Sequence, residues 1–449
     1  MRSLLFINVI RSKGLMVGLF VLFTAGLISL QIGKIFLDKN KIIIEKTRVY
    51  QQESIEKNVE LHSKDIGLLL YYLKFGYVNK MPRITGLSIG QRDINSSLQS
   101  VTIRNLEEQK YATDLMNPLF QLLGNMDFSF VLIYLFPLII IAFSFNLISE
   151  EKEGGTWSLV ISQTSNPISL IKIKLFHRFL IISCLLIILL LIAILYLNLP
   201  FDLSLLAYFL FSILYISFWF SIIWLILSFH LNSSQNATYL LLTWLMLIII
   251  IPAGINAISA YKYPVPEALS TILESRDGYH NKWDEPKEPT VAKFQQHYPQ
   301  FIAFKHPEGK DYSWLWYYAM QQMGDDDAAA VSKEFQEKLL KRNQFAANIG
   351  LFFPSIHTQR ILNSIAKSDL GNHLSFLKGL EEFHEKKRLY YYPKIFKDVS
   401  VQEENWKYST LAFFDEKIPN KWYLQIIPYL IFIGTFLIWG NTKFRTNKY

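Results

Sequence analysis

The sequence predicts a mainly α-helical membrane protein: a six-helix transmembrane bundle carrying two large segments outside it. Three observations predict this. Several apolar runs of about 20 residues carry no charge, and a helix of that length spans bilayer hydrocarbon. Apolar residues make up 51% of the 449 residues and charged ones only 18%, low for a soluble chain. The net charge of +8 is spread beside the apolar runs, where it reads as a topology signal rather than a nucleic-acid surface. One such run would also suit a buried soluble helix, but six do not.

Spans are expected at about 14–36, 127–149, 175–198, 203–229, 237–259 and 422–440. The first could be a signal peptide. Its apolar stretch Gly14 to Phe36 is too long for one and has no small-x-small cleavage site, so it reads as an uncleaved anchor. The chain then divides into an interfacial N-terminus with the first span (1–36), a first segment (37–126) and the second span (127–149). A connecting stretch (150–174) leads to the third to fifth spans (175–259). A second segment (260–421) precedes the last span with its tail (422–449). Lysine and arginine in short flanks mark the cytoplasmic side. Arg2, Arg11 and Lys13 precede the first span, and Lys443, Arg445 and Lys448 follow the last. Lys172, Lys174 and Arg178 mark the same side, whereas the turn from Asn198 to Ser204 carries no base. Both termini are therefore expected in the cytoplasm and the two large segments outside it.

The first segment opens with a helical pattern from Ile42 to Tyr71 that continues the first span. The second is expected to be a largely helical α or α+β domain. Val331, Phe335, Leu339 and Leu340 form an apolar stripe at helical spacing, preceded by Asp325, Asp326 and Asp327. Three acids there suit a helix N-terminus better than a metal. Another helix is expected from Thr358 to about Arg388. Tyr390, Tyr391 and Tyr392 suit a core or interface role better than contact with lipid or peptide.

Several function classes are disfavoured. The span centres lack Asp, Glu, Lys and Arg, the usual marks of an ion or proton path. No G-x-x-x-x-G-K-[ST] loop occurs, so ATP hydrolysis would need another chain. His384-Glu385-Lys386-Lys387 lacks the second histidine of a zinc-protease helix, and no G-x-S-x-G elbow is present. No metal or cofactor is expected in this chain, and its one cysteine, Cys184, allows no internal disulfide.

The stretch Glu150 to Lys174 carries the functional signal. Glu150, Glu151 and Glu153 end the second span, where acids oppose the helix macrodipole and give no cytoplasmic anchoring. Gly154 and Gly155 stop the helix, Thr156 offers an N-cap, and Trp157 to Ile161 would form a short interfacial helix. Lys172 and Lys174 then restart the chain into the third span. A plain turn would use the same parts, but acids placed against local rules suggest function.

The pattern acid-x-acid-x-Gly-Thr, an apolar segment, Ser162-Gln163 and a later lysine resembles the coupling region of ABC-2-type permeases. By position, Glu151, Glu153, Gly155 and Thr156 match its motif and Lys174 its lysine. Thr164 stands where a proline is usual, with Pro167 three residues later, and Ile173 replaces a glycine. Asp127-Phe128 with Leu135-Phe136-Pro137-Leu138 resembles the start of that family's second helix. Phe353-Pro354-Ser355, Ala366 to Asp369 and His373 to Phe376 resemble the end of a domain of unknown function (DUF3526-like) found in one branch between the fifth and sixth helices.

The resemblance implies that Glu150, Glu151, Glu153, Gly155, Thr156, Trp157 and Lys174 couple the chain to an ATPase. It implies two ABC ATPase subunits, which hold the ATP and Mg, and a second permease chain, alike or different, in a bacterial inner membrane. It implies export, or extraction from the membrane. The large outer domain leaves a second expectation open: an ATPase-driven mechanical or assembly protein that moves no cargo. Bilayer lipid is the remaining partner, and nucleic acid is not expected.

Overall fold

The computed structural model describes residues 13–110, 125–162, 167–265, 267–416 and 422–446. It is mainly α, with one small three-stranded sheet. Six helices are long and apolar enough to cross a membrane: Lys13–Leu61, Phe128–Glu153, Pro167–Leu197, Leu203–Leu227, Ser233–Lys262 and Trp422–Thr446. They are called the first to sixth spans below. Each contains or closely overlaps an expected apolar run. The third begins at Pro167, so Lys172 and Lys174 lie inside its helix rather than before it.

The fourth span is the centre of the bundle. Its most apolar window is 67% buried, against 11% for the fifth and sixth. Tyr208, Tyr215, Trp219 and Trp224 fill the space between it and its neighbours. Apolar side chains left outside are the expected lipid-facing surface, because lipid tails replace water as solvent.

The second and fifth spans share one local device. Each contains a π turn, Val131–Leu135 and Met246–Ile250, followed directly by a proline-containing turn with Pro137 and Pro252. Proline has no N–H and leaves the carbonyl four residues back without its helical partner. For Pro137 that carbonyl is Ile133, and the Tyr215 hydroxyl donates to it at 3.0 Å. The Trp244 indole donates to the neighbouring Tyr134 carbonyl at 3.2 Å. This turn is thus stitched to the fourth and fifth spans.

The first span runs unbroken from Lys13 to Leu61, well beyond the length a bilayer needs. Its far half joins the two large segments, which fold together. β1 (Phe75–Asn79) is the middle strand, antiparallel to β2 (Leu98–Val101) and parallel to β3 (Ala412–Phe414), in the order β2-β1-β3. The buried Gln51 ties this span to both segments, donating to the Ser409 carbonyl at 2.7 Å and accepting from the Gly76 N–H at 2.8 Å. An aromatic core including Phe75, Phe294, Trp316, Tyr318, Tyr391 and Tyr392 lies beneath. Tyr391 and Tyr392 are thus core residues, while the more exposed Tyr390 bonds Glu404.

Two expectations for the second segment need correction. The aspartate triplet does not precede a helix: it lies inside Trp314–Gly350, whose N-cap is Ser313. Asp325 instead caps a different helix, accepting from the N–H groups of Leu106 and Glu107 at 2.8 and 2.9 Å. It also pairs with the buried Arg388 at 2.8 Å. The helix expected from Thr358 to Arg388 is two, Pro354–Ile365 and Leu370–Phe396. They are broken at Ala366 to Asp369, where Lys367 takes φ 52° and Asp369 caps the second.

The domain is bolted to the bundle. Pro354–Ile365 packs on the fourth span, and the Tyr429 and Thr358 hydroxyls are bonded. Asp127, at the head of the second span, accepts from Phe130 N–H and Ile89 N–H, both at 2.8 Å. The second span therefore starts against the domain and ends, at Glu153, on the opposite face of the bundle.

Candidate coupling site

That opposite face carries the Glu150–Lys174 stretch. Helical assignment is interrupted at 145–148 and resumes over Ser149–Glu153, so Glu150 and Glu151 open a short helix instead of closing a long one. The acids are also compensated within the chain. Glu151 pairs with Lys174 at 2.8 Å and accepts from the Thr156 hydroxyl at 2.5 Å. Glu153 accepts from the Ser233 N–H at 2.7 Å and the Ser233 hydroxyl at 2.8 Å. A carboxylate there complements the N-terminal end of the fifth-span helix. Glu150 accepts from the Asn146 amide at 2.9 Å.

The bend behaves as the double glycine suggests. Gly154 is the helix C-cap with φ −78°, and Gly155 takes φ +72°. A Cβ on Gly155 would meet nothing within 4 Å, so glycine is required by backbone conformation and not by space. The helix Trp157–Ser162 follows. The Thr156 hydroxyl points back to Glu151, donating to its carboxylate and approaching its carbonyl at 3.2 Å, which differs from the forward-capping role expected of it. Trp157 is half-buried against the bundle core, with Lys152 Nζ 5.7 Å from its ring centroid. Ser158 and Leu159 face outward, Leu159 at 59% exposure. Gln163 and Thr164 lie outside the described residues.

The structure thus gathers Glu151, Thr156 and Lys174 in one cluster and Glu153 in a second. Gly155 and Trp157 lie between, and Glu150 stands beside them on Asn146. Sequence reasoning missed the partners on the fifth span, Ser233 with its neighbours. A signal was present: Asn232 and Gln235 have capping-box spacing, and they form that box. Ser149 also accepts or donates to the Ser233 hydroxyl at 2.7 Å, closing the second cluster.

Residues 6–333 match the family described as ABC-2 family transporter protein. The chain belongs to that family. Residues 267–410 match a domain of unknown function, DUF3526, which covers most of the region between the fifth and sixth spans. No curated protein matches the chain significantly. The chain is therefore the membrane permease of an ABC transporter, a multi-pass and non-catalytic subunit, with a DUF3526 region after its fifth span.

Proposed function

We propose that this permease works in an ATP-driven exporter or extractor, and that a partner ABC ATPase docks on the helix Trp157–Ser162. One observation carries the reading. That helix is anchored by Trp157, presents Leu159 outward, and is tied at its base to three spans through Glu151–Lys174 and Glu153–Ser233. A push on it reaches the second, third and fifth spans together. In this reading residues 150–174 and both termini are cytoplasmic, and 37–126 and 260–421 face outward from a bacterial inner membrane. Two ATPase subunits bearing ATP and Mg would serve two permease chains, alike or different.

In this reading the motif residues divide by role. Glu151, Glu153 and Lys174 are bonded inside the chain and act as positioning residues, while Ser158 and Leu159 face a partner. Glu153→Lys would set a cation against a helix N-terminus, so its loss of coupling would be inseparable from local unfolding. Ser158 is the better probe. In a Cys184→Ala background, Ser158→Cys is expected to react with an impermeant maleimide only from the cytoplasmic side and to cross-link to the ATPase. Labelling only from the outer side would overturn the topology, and labelling without a cross-link would overturn the docking site.

One observation favours the mechanical alternative, in which the ATPase moves the domain and no cargo crosses. The first span is a single helix of 49 residues that ends among the strands and helices of the domain. At 1.5 Å per residue it is a rod of roughly 73 Å. Cargo flux dependent on ATP would decide for transport. ATP-dependent movement of the domain without flux would decide for mechanics.

A further inference from the structure

A cavity of about 580 Å³ lies where the fifth span meets the domain. One wall is the last part of that span, with Pro252, Ile255 and Ser259. The facing wall is Trp314–Gly350, which contributes Phe335, Leu339 and Ala346. The helices Pro354–Ile365 and Leu370–Phe396 close the domain side with Ile356, Arg360 and Leu370. Apolar side chains from both walls line this pocket, and Arg342, Asn343, Arg360 and Asp369 make its polar end.

Its polar end carries excess positive charge. Arg342 gives Nε to the Tyr263 carbonyl at 2.6 Å, and Arg360 gives Nη1 to the Asn343 amide oxygen at 3.0 Å. Each guanidinium has five N–H donors, so both keep donors to offer. Asp369 acts electrostatically on Arg360 and also on the buried Arg92. Lys110, also in the lining, is balanced by Glu107 at 2.9 Å and Glu381 at 2.6 Å. His373 is neutral, because burial pushes its pKa down to about 4. Two guanidiniums thus face a space with one shared carboxylate. A guanidinium fork matches phosphate oxygens in geometry and charge.

We propose that this cavity binds an anionic amphiphile, its phosphoryl headgroup on Arg342 and Arg360 and its acyl chains along Ile255, Phe335, Leu339 and Ala346. The lipid would enter from the bilayer, between the fifth span and the domain. The inference rests on the membrane-spanning fold alone and stands whether or not an ATPase docks at the opposite face.

The test uses the full chain in detergent, titrated with dioleoylphosphatidylglycerol, dioleoylphosphatidylcholine or glycerol 3-phosphate and read by native mass spectrometry. The anionic lipid is expected to bind about tenfold or more tighter than the zwitterionic one, and glycerol 3-phosphate alone not to be retained. Arg342→Gln with Arg360→Gln should bring the anionic lipid down to the level of the zwitterionic one. Ala346→Trp keeps both guanidiniums but fills the apolar part, and should displace the anionic lipid by itself. Unchanged binding in either variant would overturn the proposal. Glycerol 3-phosphate retained as firmly as the lipid would also overturn it, marking a site for soluble anions. Should the double variant fail to fold, Ala346→Trp decides alone.

Discussion

Asp325 holds Arg388 and the N–H groups of Leu106 and Glu107 at once, with both charged side chains buried. Removing one partner of a buried pair leaves the other charge uncompensated, which costs about 3–5 kcal/mol. Asp325→Ala should therefore lower the melting temperature of the purified chain far more than Asp327→Ala, whose aspartate sits at a 4.0 Å contact with Lys282. Equal effects would remove the trans-capping role. His384 makes a second prediction. Its ring is buried, bonded through Nε2 to the Thr102 carbonyl at 2.9 Å, and burial holds its pKa well below the ordinary value. The folded imidazole stays neutral while the unfolded one takes a proton near pH 6.5. Its contribution is complete above about pH 6.5 and is lost as the pH falls from there towards the folded value. Melting temperatures at pH 7.5 and 5.5 should drop on acidification in the wild type. His384→Gln should show a smaller drop, with Glu107 and Asp369 titrating alike in both.

Among the elements, the first span meets the domain at a contact with no room for a side chain. A Cβ on Gly33 would come within 1.9 Å of the Gly86 carbonyl oxygen, which is backbone and cannot rotate away. Gly33→Ala should force the helix and the turn Arg83–Gly86 apart, at about 1–3 kcal/mol, whereas Gly14→Ala meets nothing within 4 Å. Comparing the two variants by thermal unfolding checks this. The spans themselves were legible in the sequence, because charge-free runs of bilayer length have few other stable homes. The short helix after Gly155 was legible for a local reason, since glycine and the apolar run both act within a few residues. The sheet was not legible. β1 and β3 are five and three residues long and pair across more than 300 positions, so no local pattern signals their register. The Asp325–Asp327 triplet misled because acids do favour helix starts. The start that Asp325 serves is Leu106, distant in sequence and adjacent only in the fold.

For the whole molecule, the proposed coupling separates where force would enter from where it would be felt. The helix Trp157–Ser162 is on one face of the bundle, and the domain built from both large segments is on the other. The fourth span fills the centre, and the second span runs from Asp127 at the domain to Glu153 on the opposite face. The Glu151–Lys174 and Glu153–Ser233 clusters bind the ends of three spans to the surface helix, so the bundle can respond as a unit. Sequence alone located this stretch but assigned its acids to a partner. The structure bonds them inside the chain, and the proposed docking surface is instead Ser158 and Leu159, whose identity carries no signal of its own. The central claim is that a partner ATPase docks on this helix, and the most direct test is co-purification of the ATPase with Leu159→Asp permease. Leu159 is exposed, so the variant should keep the wild-type melting temperature while retaining little or no ATPase. Full retention of the ATPase by a folded Leu159→Asp chain would contradict the claim.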